Sequence, residues 1–278
     1  AVVWRSIRSS DTHTSGVVTA YGSHVTDQYG TQQRTMLDEQ LLAARLYAGG
    51  FVGETPHYSR VTTSTQDVAR QLYEIGKRPP YSVVTDEQTA GRGRLARSWE
   101  APPGGSVLLT VAMPLPSDPT AVPLCIGVTV LRMLQPHAPM LRLKWPNDIV
   151  VPVHAELRKL GGLIAEVHGD ALLVGIGLNI DLHDDELPTP QAVSFRQLGT
   201  AAEREQIIAD IVVALSQWER PTLDEYRQLC VTLGEPVVVS LTNGTSLDGT
   251  ASAVTNTGAL VVDGVEVAAG DVQHVRSI

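Results

Sequence analysis

The spacing of apolar residues predicts a series of short helices and strands that begins near Met36. Apolar residues at helical spacing predict helices over residues 37–47, 63–74, 121–135, 203–218 and 223–229. Alternating or β-branched runs predict strands over residues 57–62, 81–87, 106–113, 141–145, 149–153, 160–167 and 171–180. A hairpin signal, His168-Gly169-Asp170, joins the last two strands. We therefore expect an α+β domain built on a mixed, mostly antiparallel sheet with helices.

The pattern changes after Gly234. From residue 235 onward, short valine-rich segments are separated by glycine turns at residues 243–244, 256–258 and 263–264. Short strands at this spacing predict a small SH3-like β-barrel, so we expect one domain over residues 36–233 and a second over residues 234–278. Residues 1–35 are rich in Ser, Thr, Gly and His and lack periodicity, and we expect them to be disordered or a non-native extension.

The composition excludes several classes of protein. The chain has 30 acidic and 21 basic residues, a net charge of -9, whereas proteins dedicated to DNA carry clustered positive charge. The longest apolar run, residues 124–134, contains Arg132 and is shorter than the about 20 residues of a membrane span. Cys125 and Cys230 lie far apart in apolar segments, which is typical of buried thiols in a reducing cytosol. We expect a cytoplasmic protein without a specific DNA partner or membrane association.

Residues 88–99, called the basic loop below, differ in charge from the rest of the chain. They contain three arginines (Arg92, Arg94 and Arg97), two glycines and no acidic residue. Arginine binds phosphate through two parallel hydrogen bonds, and glycine lets the backbone approach a ligand closely. On composition alone, a phosphate-handling loop and a solvated basic surface loop both remain open.

Four further segments accompany the basic loop. They are Ser64-Thr65, Lys144-Trp145-Pro146-Asn147-Asp148, the Lys159 to Glu166 segment KLGGLIAE, and the Gly175 to Asn179 segment GIGLN. In order and spacing, the five segments together resemble the biotin protein ligase family, in its form without a DNA-binding domain. The resemblance extends from about Leu37 to the C-terminus. It implies a class II synthetase-like catalytic domain followed by a small barrel.

The resemblance also implies a two-step reaction. ATP, accompanied by Mg²⁺, would activate biotin to biotinyl-5′-AMP, and the biotinyl group would then pass to a lysine of a biotin carboxyl carrier domain. The implied catalytic residues are Lys159, Arg94 and Asp148, with Asp148 orienting or deprotonating the carrier lysine. The implied biotin contacts are Ser64, Thr65, Gln66, Gln88, Arg92, Gly93, Arg94, Lys159, Gly162, Gly175 and Gly177. The implied ATP contacts are Arg92, Arg94, Trp99, Lys144, Asn147, Lys159, Asn179 and Arg276.

Ser64 and Thr65 could each have a structural role in place of a biotin contact, and the contact of Gln66 is also open. Ser64 and Thr65 suit a helix cap, and the free N–H groups of the same helix end suit the ureido carbonyl of biotin. Gln66 stands where the family has Asn, which leaves its contact open because the longer side chain has more rotamer freedom.

The glycine-rich strands and two polar or aromatic residues also leave alternatives open. The strand glycines fit either bulges in a hairpin or a floor under the biotin ring; they are Gly161, Gly162, Gly175 and Gly177. Asn179 either contacts ATP or closes a turn. For Trp145, core packing is favoured over adenine stacking. The scattered histidines predict no zinc site, so Mg²⁺ would arrive with the ATP phosphates.

The basic loop has a second implied role as a lid. A biotinyl adenylate is destroyed by water, so we expect the loop to be disordered without ligand and ordered over the adenylate, with Trp99 at the lid edge. Two other functions stay open at this stage, a lipoate–protein ligase and a biotin-binding regulatory module without catalysis. The oligomeric state is equally open.

Overall fold

A computed structural model describes residues 34–153 and 156–274. The predicted disorder of the first residues therefore falls almost entirely outside the described residues, and so does the predicted ATP contact Arg276. Within the described residues, no helix has the length and apolar character needed to cross a membrane.

Each predicted helix and strand is present, with ends that differ by a few residues. The helices are α1 Glu39–Ala48, α2 Thr65–Glu74, α3 Val122–Leu134, α4 Arg204–Ser216 and α5 Leu223–Leu229. The first seven strands are β1 His57–Thr62, β2 Tyr81–Gln88, β3 Ser106–Pro114, β4 Arg142–Lys144, β5 Asp148–Val153, β6 Glu156–His168 and β7 Ala171–Asn179. The last five are β8 Pro236–Leu241, β9 Ser246–Val254, β10 Leu260–Val262, β11 Val265–Val267 and β12 Gly270–His274.

The first seven strands form one mixed sheet in the order β1-β2-β3-β7-β6-β5-β4. Among the strand pairs described for this sheet, β1 and β2 are parallel, and α2 makes the crossover between them, as a parallel pair requires. The other pairs are antiparallel, so the predicted α+β class with a mostly antiparallel sheet is confirmed.

Helix α3 packs against the β4, β5 and β6 part of this sheet and against α4 and α5. Ten of its 13 residues are buried, which explains why this segment lacks the polar stripe of a surface helix. Its Arg132 reaches out of the core, where Nε donates to Oε1 of Glu225 at 2.7 Å.

The last five strands form a second, fully antiparallel sheet in the order β11-β10-β9-β8-β12. Trp145 connects the two sheets because its backbone N–H donates to Oγ1 of Thr232 and its Nε1 donates to the carbonyl of Gly258, both at 3.0 Å. Trp145 is 1% exposed, which confirms core packing. The C-terminal segment thus builds a small antiparallel unit seated against the end of β4.

A buried ion pair fixes the end of β2, from which the basic loop begins. Asp86 is 1% exposed and pairs with Arg204 of α4 at 2.7 Å. The same carboxylate accepts hydrogen bonds from the backbone of Leu37 (3.0 Å) and from the hydroxyl of Tyr58. These contacts anchor the segment before α1, and α4 itself, to the strand that ends at Gln88.

Candidate active site

One cleft opens on the face of the first sheet, called the cleft below. The N-terminus of α2, the basic loop, strands β3, β6 and β7 and the start of β12 surround it, and its space including the mouth is about 780 Å³. That size is in the usual range of ligand pockets. The predicted site residues that line it are Ser64, Thr65, Gln66, Gln88, Arg92, Gly93, Arg94, Trp99, Asn147, Asp148, Lys159, Gly162, Gly175 and Gly177.

At one end of the cleft, the amide of Gln88 caps helix α2. Its Oε1 accepts from the backbone N–H of Thr65 at 2.8 Å and from the Thr65 hydroxyl at 3.2 Å. Ser64 is the N-cap residue, but its hydroxyl makes no capping bond. The predicted hydroxyl cap is therefore wrong, because Gln88 at the end of β2 lies near enough to satisfy the free helix N–H.

Gln66 is held in one orientation behind this cap. Its Nε2 donates to the carbonyl of Leu173 and its Oε1 accepts from Oγ1 of Thr110, both at 3.2 Å. The Thr110 hydroxyl also lies 2.9 Å from Oγ1 of Thr65. Since Gln66 is 1% exposed, packing removes the rotamer freedom that its longer side chain would otherwise have.

Thr110 is a cleft residue that the sequence did not reveal. It lies in the middle of β3, is fully buried and is surrounded by apolar residues in the sequence. A lone hydroxyl within an apolar strand indicates a hydrogen-bonding partner elsewhere in the fold, because buried polar groups need partners. Leu108, on the same face of β3, and Asp271, on β12, line the cleft as well.

Three of the four strand glycines, Gly162, Gly175 and Gly177, line the cleft. Gly162 pairs with Gly177 in a β6–β7 register that runs without a shift from Gly161 to His168. The β6–β7 hairpin therefore has no bulge, whereas β6 has a register shift against β5 beside Gly161, because Ile149 pairs with Gly161 and Val150 pairs with Lys159.

Close approach explains why this surface has glycine. A Cβ at Gly161 would lie 2.3 Å from the carbonyl oxygen of Gly177, and a Cβ at Gly175 would lie 2.9 Å from Oε1 of Gln66. At Gly177 the added atom would lie 2.6 Å from the indole of Trp99, which covers this part of the strand. The glycines thus let two strands and the Trp99 ring pack at contact distance.

We expect Gly177→Ala to loosen the basic loop, since the new methyl group must displace the Trp99 indole. At an overpacking cost of 1–3 kcal/mol, trypsin cleavage at the loop arginines should become about tenfold faster. The matched control is Gly127→Ala in α3, where the nearest atom would lie 3.6 Å away and cleavage should stay unchanged. Equal cleavage rates in the Gly177→Ala variant and the original protein would contradict the packing argument.

The other end of the cleft is cationic. Nζ of Lys159 pairs with Oδ1 of Asp148 at 2.6 Å and lies 5.9 Å from the centre of the Trp99 ring. The backbone of Lys159 is fixed on both sides, because its N–H donates to the carbonyl of Gln191 (2.7 Å) and its carbonyl accepts from Val193 (2.9 Å). An ammonium and a carboxylate therefore stand side by side at a rigid position.

Arg94 faces the same end from the basic loop. Its Nη1 donates to Oδ1 of Asn147 at 3.1 Å and to the carbonyl of Gly270 at 3.4 Å. Asn147 is itself oriented, because its Nδ2 donates to the carbonyl of Leu163 at 2.7 Å. Burial lowers the pKa of Arg94, although a guanidinium keeps its charge at neutral pH.

The three loop arginines thus have different surroundings. The Arg92 guanidinium pairs with Asp67 of α2 at 2.9 Å, and the Arg97 guanidinium pairs with Asp271 of β12. Leu95, between them, adopts a left-handed backbone conformation with φ 55°, which is strained for a branched residue.

Two predicted ATP contacts lie outside the lining of the cleft. Nδ2 of Asn179 donates to the carbonyl of Val193 at 3.1 Å, while its buried Oδ1 has no partner among the described residues. Lys144 is partly buried at the end of β4. Desolvation lowers the pKa of its ammonium, and this effect outweighs the nearby negative charges of Asp148 and Asp271, which raise it. Within the described residues, no cluster of three His, Cys, Asp or Glu side chains forms a metal site.

His274 adds a pH-sensitive group near Lys144. Burial, and then the charge of Lys144, lowers the pKa of His274 from 6.5 to about 4. Between these values the unfolded chain binds a proton and the folded protein does not, so stability falls as the pH drops from 6.5 toward 4. We expect His274→Gln to reduce the loss of unfolding free energy between pH 7 and pH 5 by about 1 kcal/mol, after discounting for solvent screening.

Urea unfolding of both proteins at the two pH values checks this expectation. The variant should unfold at more similar urea concentrations at pH 7 and pH 5 than the original protein does. The same pH-dependent loss in both proteins would mean that His274 does not contribute to it.

Comparison with known proteins shows which family the chain resembles. The model of the biotin/lipoate A/B protein ligase family matches residues 58–182, a range that contains every predicted site residue except Arg276. Biotin–[acetyl-CoA-carboxylase] ligase from Mycobacterium tuberculosis is 33% identical to this chain over 214 residues, which are 70% of this chain and 79% of that protein.

Two solved structures have a similar fold. The biotin protein ligase of Aquifex aeolicus in complex with biotin and ATP aligns with a TM-score of 0.64 at 23% identity, covering 79% of this chain and 98% of that one. The biotin protein ligase of Leishmania major in complex with biotinyl-5-AMP aligns with a TM-score of 0.55 at 25% identity, covering 81% and 100%. The mixed sheet with its second antiparallel sheet thus matches solved folds.

Proposed function

The chain belongs to the biotin/lipoate A/B protein ligase family, and from this premise we propose that it is a biotin protein ligase. It would use ATP to convert biotin to biotinyl-5′-AMP and then transfer the biotinyl group to a lysine of a biotin carboxyl carrier domain. The observation that carries the proposal is the polarity of the cleft. Uncharged amides and hydroxyls lie around the N-terminus of α2 at one end, and Lys159, Arg94 and Asn147 lie at the other.

This polarity suits biotin better than lipoate. The ureido group of biotin needs hydrogen-bonding partners when its ring is buried, and the cleft offers Gln66, Gln88, Thr65 and Thr110 around the N-terminus of α2. The dithiolane ring of lipoate makes no such hydrogen bonds, so it would gain no binding energy from these polar groups. The carboxylate of either acid would extend toward Lys159.

In the first step, an oxygen of the biotin carboxylate attacks the α-phosphorus of ATP. A new P–O bond forms, the bond to the leaving pyrophosphate breaks, and negative charge accumulates on the phosphoryl oxygens. Lys159 and Arg94 would stabilise that charge, with Asn147 holding the Arg94 guanidinium in place. Mg²⁺ would enter bound to ATP, which fits a cleft whose nearby carboxylates are Asp148 and Asp271 rather than a dedicated metal cage.

In the second step, the amine of the carrier lysine attacks the acyl carbon of the adenylate and AMP leaves. The amine must lose a proton, and Asp148 is the carboxylate placed to accept it. Its pairing with Lys159 at 2.6 Å keeps Asp148 aimed at the position where the carboxylate and phosphate of the adenylate would meet. The predicted contacts of Arg92, Lys144, Asn179 and Arg276 with substrate belong to the same proposal.

The C-terminal sheet and the acceptor protein are also part of the proposed function. The five C-terminal strands would close as an SH3-like barrel, forming a domain distinct from residues 36–233. Asp271 and Gly270 support a role for this unit in the site, because they contact Arg97 and Arg94 of the basic loop. The acceptor would be the carrier domain of a carboxylase in the cytoplasm, without a specific DNA or membrane partner.

One labelling experiment tests the proposed function. The protein is incubated with a carrier domain and labelled biotin or labelled lipoate, each with and without ATP. We expect label on the carrier only with biotin and ATP, and none on a carrier whose acceptor lysine is replaced by arginine. Preferential lipoate labelling would favour a lipoate ligase, whereas biotin binding without any labelling would favour a non-catalytic binding module.

A further inference from the structure

Arg92 connects the basic loop to a group of charged side chains outside the cleft. Its Nη1 lies 2.9 Å from Oδ1 of Asp67 and 3.9 Å from Oε2 of Glu166. Arg70 bridges the same two carboxylates, with Nη1 at 3.0 Å from Asp67 and Nη2 at 2.7 Å from Glu166. Two positive and two negative side chains therefore alternate, and only Arg92 comes from the loop.

The partners of Arg92 lie on regular secondary structure. Asp67 and Arg70 belong to α2 and Glu166 belongs to β6, so their backbones are set by regular secondary structure. Arg70 fixes both carboxylates, which reduces the side-chain entropy lost when Arg92 pairs with them. Asp67 itself does not line the cleft; it lines a shallow surface depression on the outer side of α2.

Arg92 also occupies the narrow neck of the loop. The backbone N–H of Trp99 donates to the carbonyl of Gly91 at 2.9 Å, and the backbones of Arg92 and Ser98 form an isolated antiparallel β-bridge. A Cβ on Gly91 would lie 2.2 Å from the Trp99 carbonyl oxygen, so the two ends of the loop are in direct contact. The position of Arg92 is therefore coupled to that of residues 93–98, which lie between these two ends of the loop.

We propose that Asp67, assisted by Glu166, is a positioning residue that holds the basic loop closed, as a latch, by pairing with the Arg92 guanidinium at the edge of the cleft. In its catalytic consequence this inference rests on the proposed function, because the closed loop would retain the adenylate. The latch acts on loop opening and makes no contact with the reacting atoms. Removing it should therefore accelerate release of the adenylate and leave the rate of its synthesis within about twofold.

The first test needs no substrate. Backbone hydrogen exchange across residues 89–99 is measured in the ligand-free protein, in Asp67→Asn and in the control Glu225→Gln, which breaks the Arg132 ion pair outside the cleft. Because partly exposed ion pairs contribute at most about 1 kcal/mol, we expect exchange to be threefold to fivefold faster in Asp67→Asn. The control should exchange at the original rate, and equally unchanged exchange in Asp67→Asn would overturn the latch.

A charge reversal separates the latch from a general effect on α2. Asp67→Arg should accelerate loop exchange, and adding Arg92→Glu should restore slow exchange because the ion pair is rebuilt with opposite signs. A merely structural role of Asp67 in the first turn of the helix predicts no such rescue. Failure of the double variant to slow exchange, when circular dichroism shows both variants folded, would overturn the proposal.

The second test measures the catalytic consequence. Biotinyl adenylate formed from labelled biotin and ATP is trapped by rapid filtration, and its release is followed in the original protein and in Asp67→Asn. We expect threefold to fivefold faster release in the variant. If the original protein forms no adenylate, the proposed function fails while the exchange test of the latch still stands. If adenylate forms and both proteins release it equally fast, the latch fails and the proposed function stands.

Discussion

Lys159→Ala is expected to reduce the rate of biotinyl adenylate formation by about 10²- to 10³-fold. The ammonium of Lys159 is a cation at a rigid position in the cleft, and its loss removes a preorganised charge from the attacked phosphate. The change also leaves the Asp148 carboxylate without its partner, so a negative charge faces the incoming phosphates. Single-turnover release of labelled pyrophosphate, with biotin and ATP saturating, measures the effect.

The matched control for this prediction is Lys77→Ala. Lys77 pairs with Glu54 at 2.6 Å, the same separation as in the Lys159 pair, but outside the cleft. Its loss should leave adenylate formation within about twofold, as expected for a partly exposed ion pair. Adenylate formation within threefold of the original rate in Lys159→Ala would exclude the central role proposed for this residue.

The step affected can be identified with adenylate supplied from outside. If Lys159 acts mainly on adenylation, the Lys159→Ala protein should transfer biotin from added biotinyl adenylate to the carrier far better than it synthesises adenylate. Equal losses in synthesis and transfer would instead place Lys159 in both steps, or would show that the cleft collapses without it.

Arg94→Ala is expected to release biotinyl adenylate about 10- to 100-fold faster. The guanidinium of Arg94 is oriented by Asn147 and by the carbonyl of Gly270, so it can bind a phosphate oxygen without further ordering. A hydrogen bond to a charged group contributes about 1.5–3 kcal/mol, which corresponds to this change in dissociation. Free adenylate should then biotinylate lysines of a bystander protein such as serum albumin, and blotting for biotin on albumin measures the leak.

Arg132→Ala serves as the control for Arg94. It removes an arginine that pairs with Glu225 outside the cleft, and albumin should stay unlabelled. Retention of adenylate by Arg94→Ala, shown by labelling of the carrier alone, would return the basic loop to a solvated surface segment. We expect Arg94→Ala to release more adenylate than Asp67→Asn does, because in the proposed complex Arg94 would bind the phosphate whereas Asp67 would act only through Arg92.

The sequence predicted the secondary structure well because helices and strands differ in the period of their apolar residues. Helix α2 and strands β6 and β7 each appear at the predicted position, and His168-Gly169-Asp170 forms the predicted turn. Gly169 adopts φ 59° in that turn, a conformation that glycine reaches without strain. Such features depend on residues a few positions apart, which a pattern along the chain can reveal.

The sequence alone was less informative about partners within the cleft. Both Thr65 and Gln88 were predicted site residues, but the parallel pairing of β1 with β2 is what brings the Gln88 amide to the Thr65 N–H. Thr110 looked like one more residue of an apolar strand until the register of β3 placed it against Gln66. These contacts depend on strand order and register, which no local pattern specifies.

The basic loop shows most clearly which features follow from the sequence and which follow from the tertiary structure. By itself the sequence determined that three arginines and two glycines follow a strand, which left a phosphate-handling loop and a solvated surface loop both open. Only the tertiary structure decided that Arg94 faces Asn147 while Arg92 and Arg97 pair with Asp67 and Asp271. The reason is physical: a residue type sets charge and reach, whereas the partner of that charge is set by which distant elements the folded chain brings within a few ångströms.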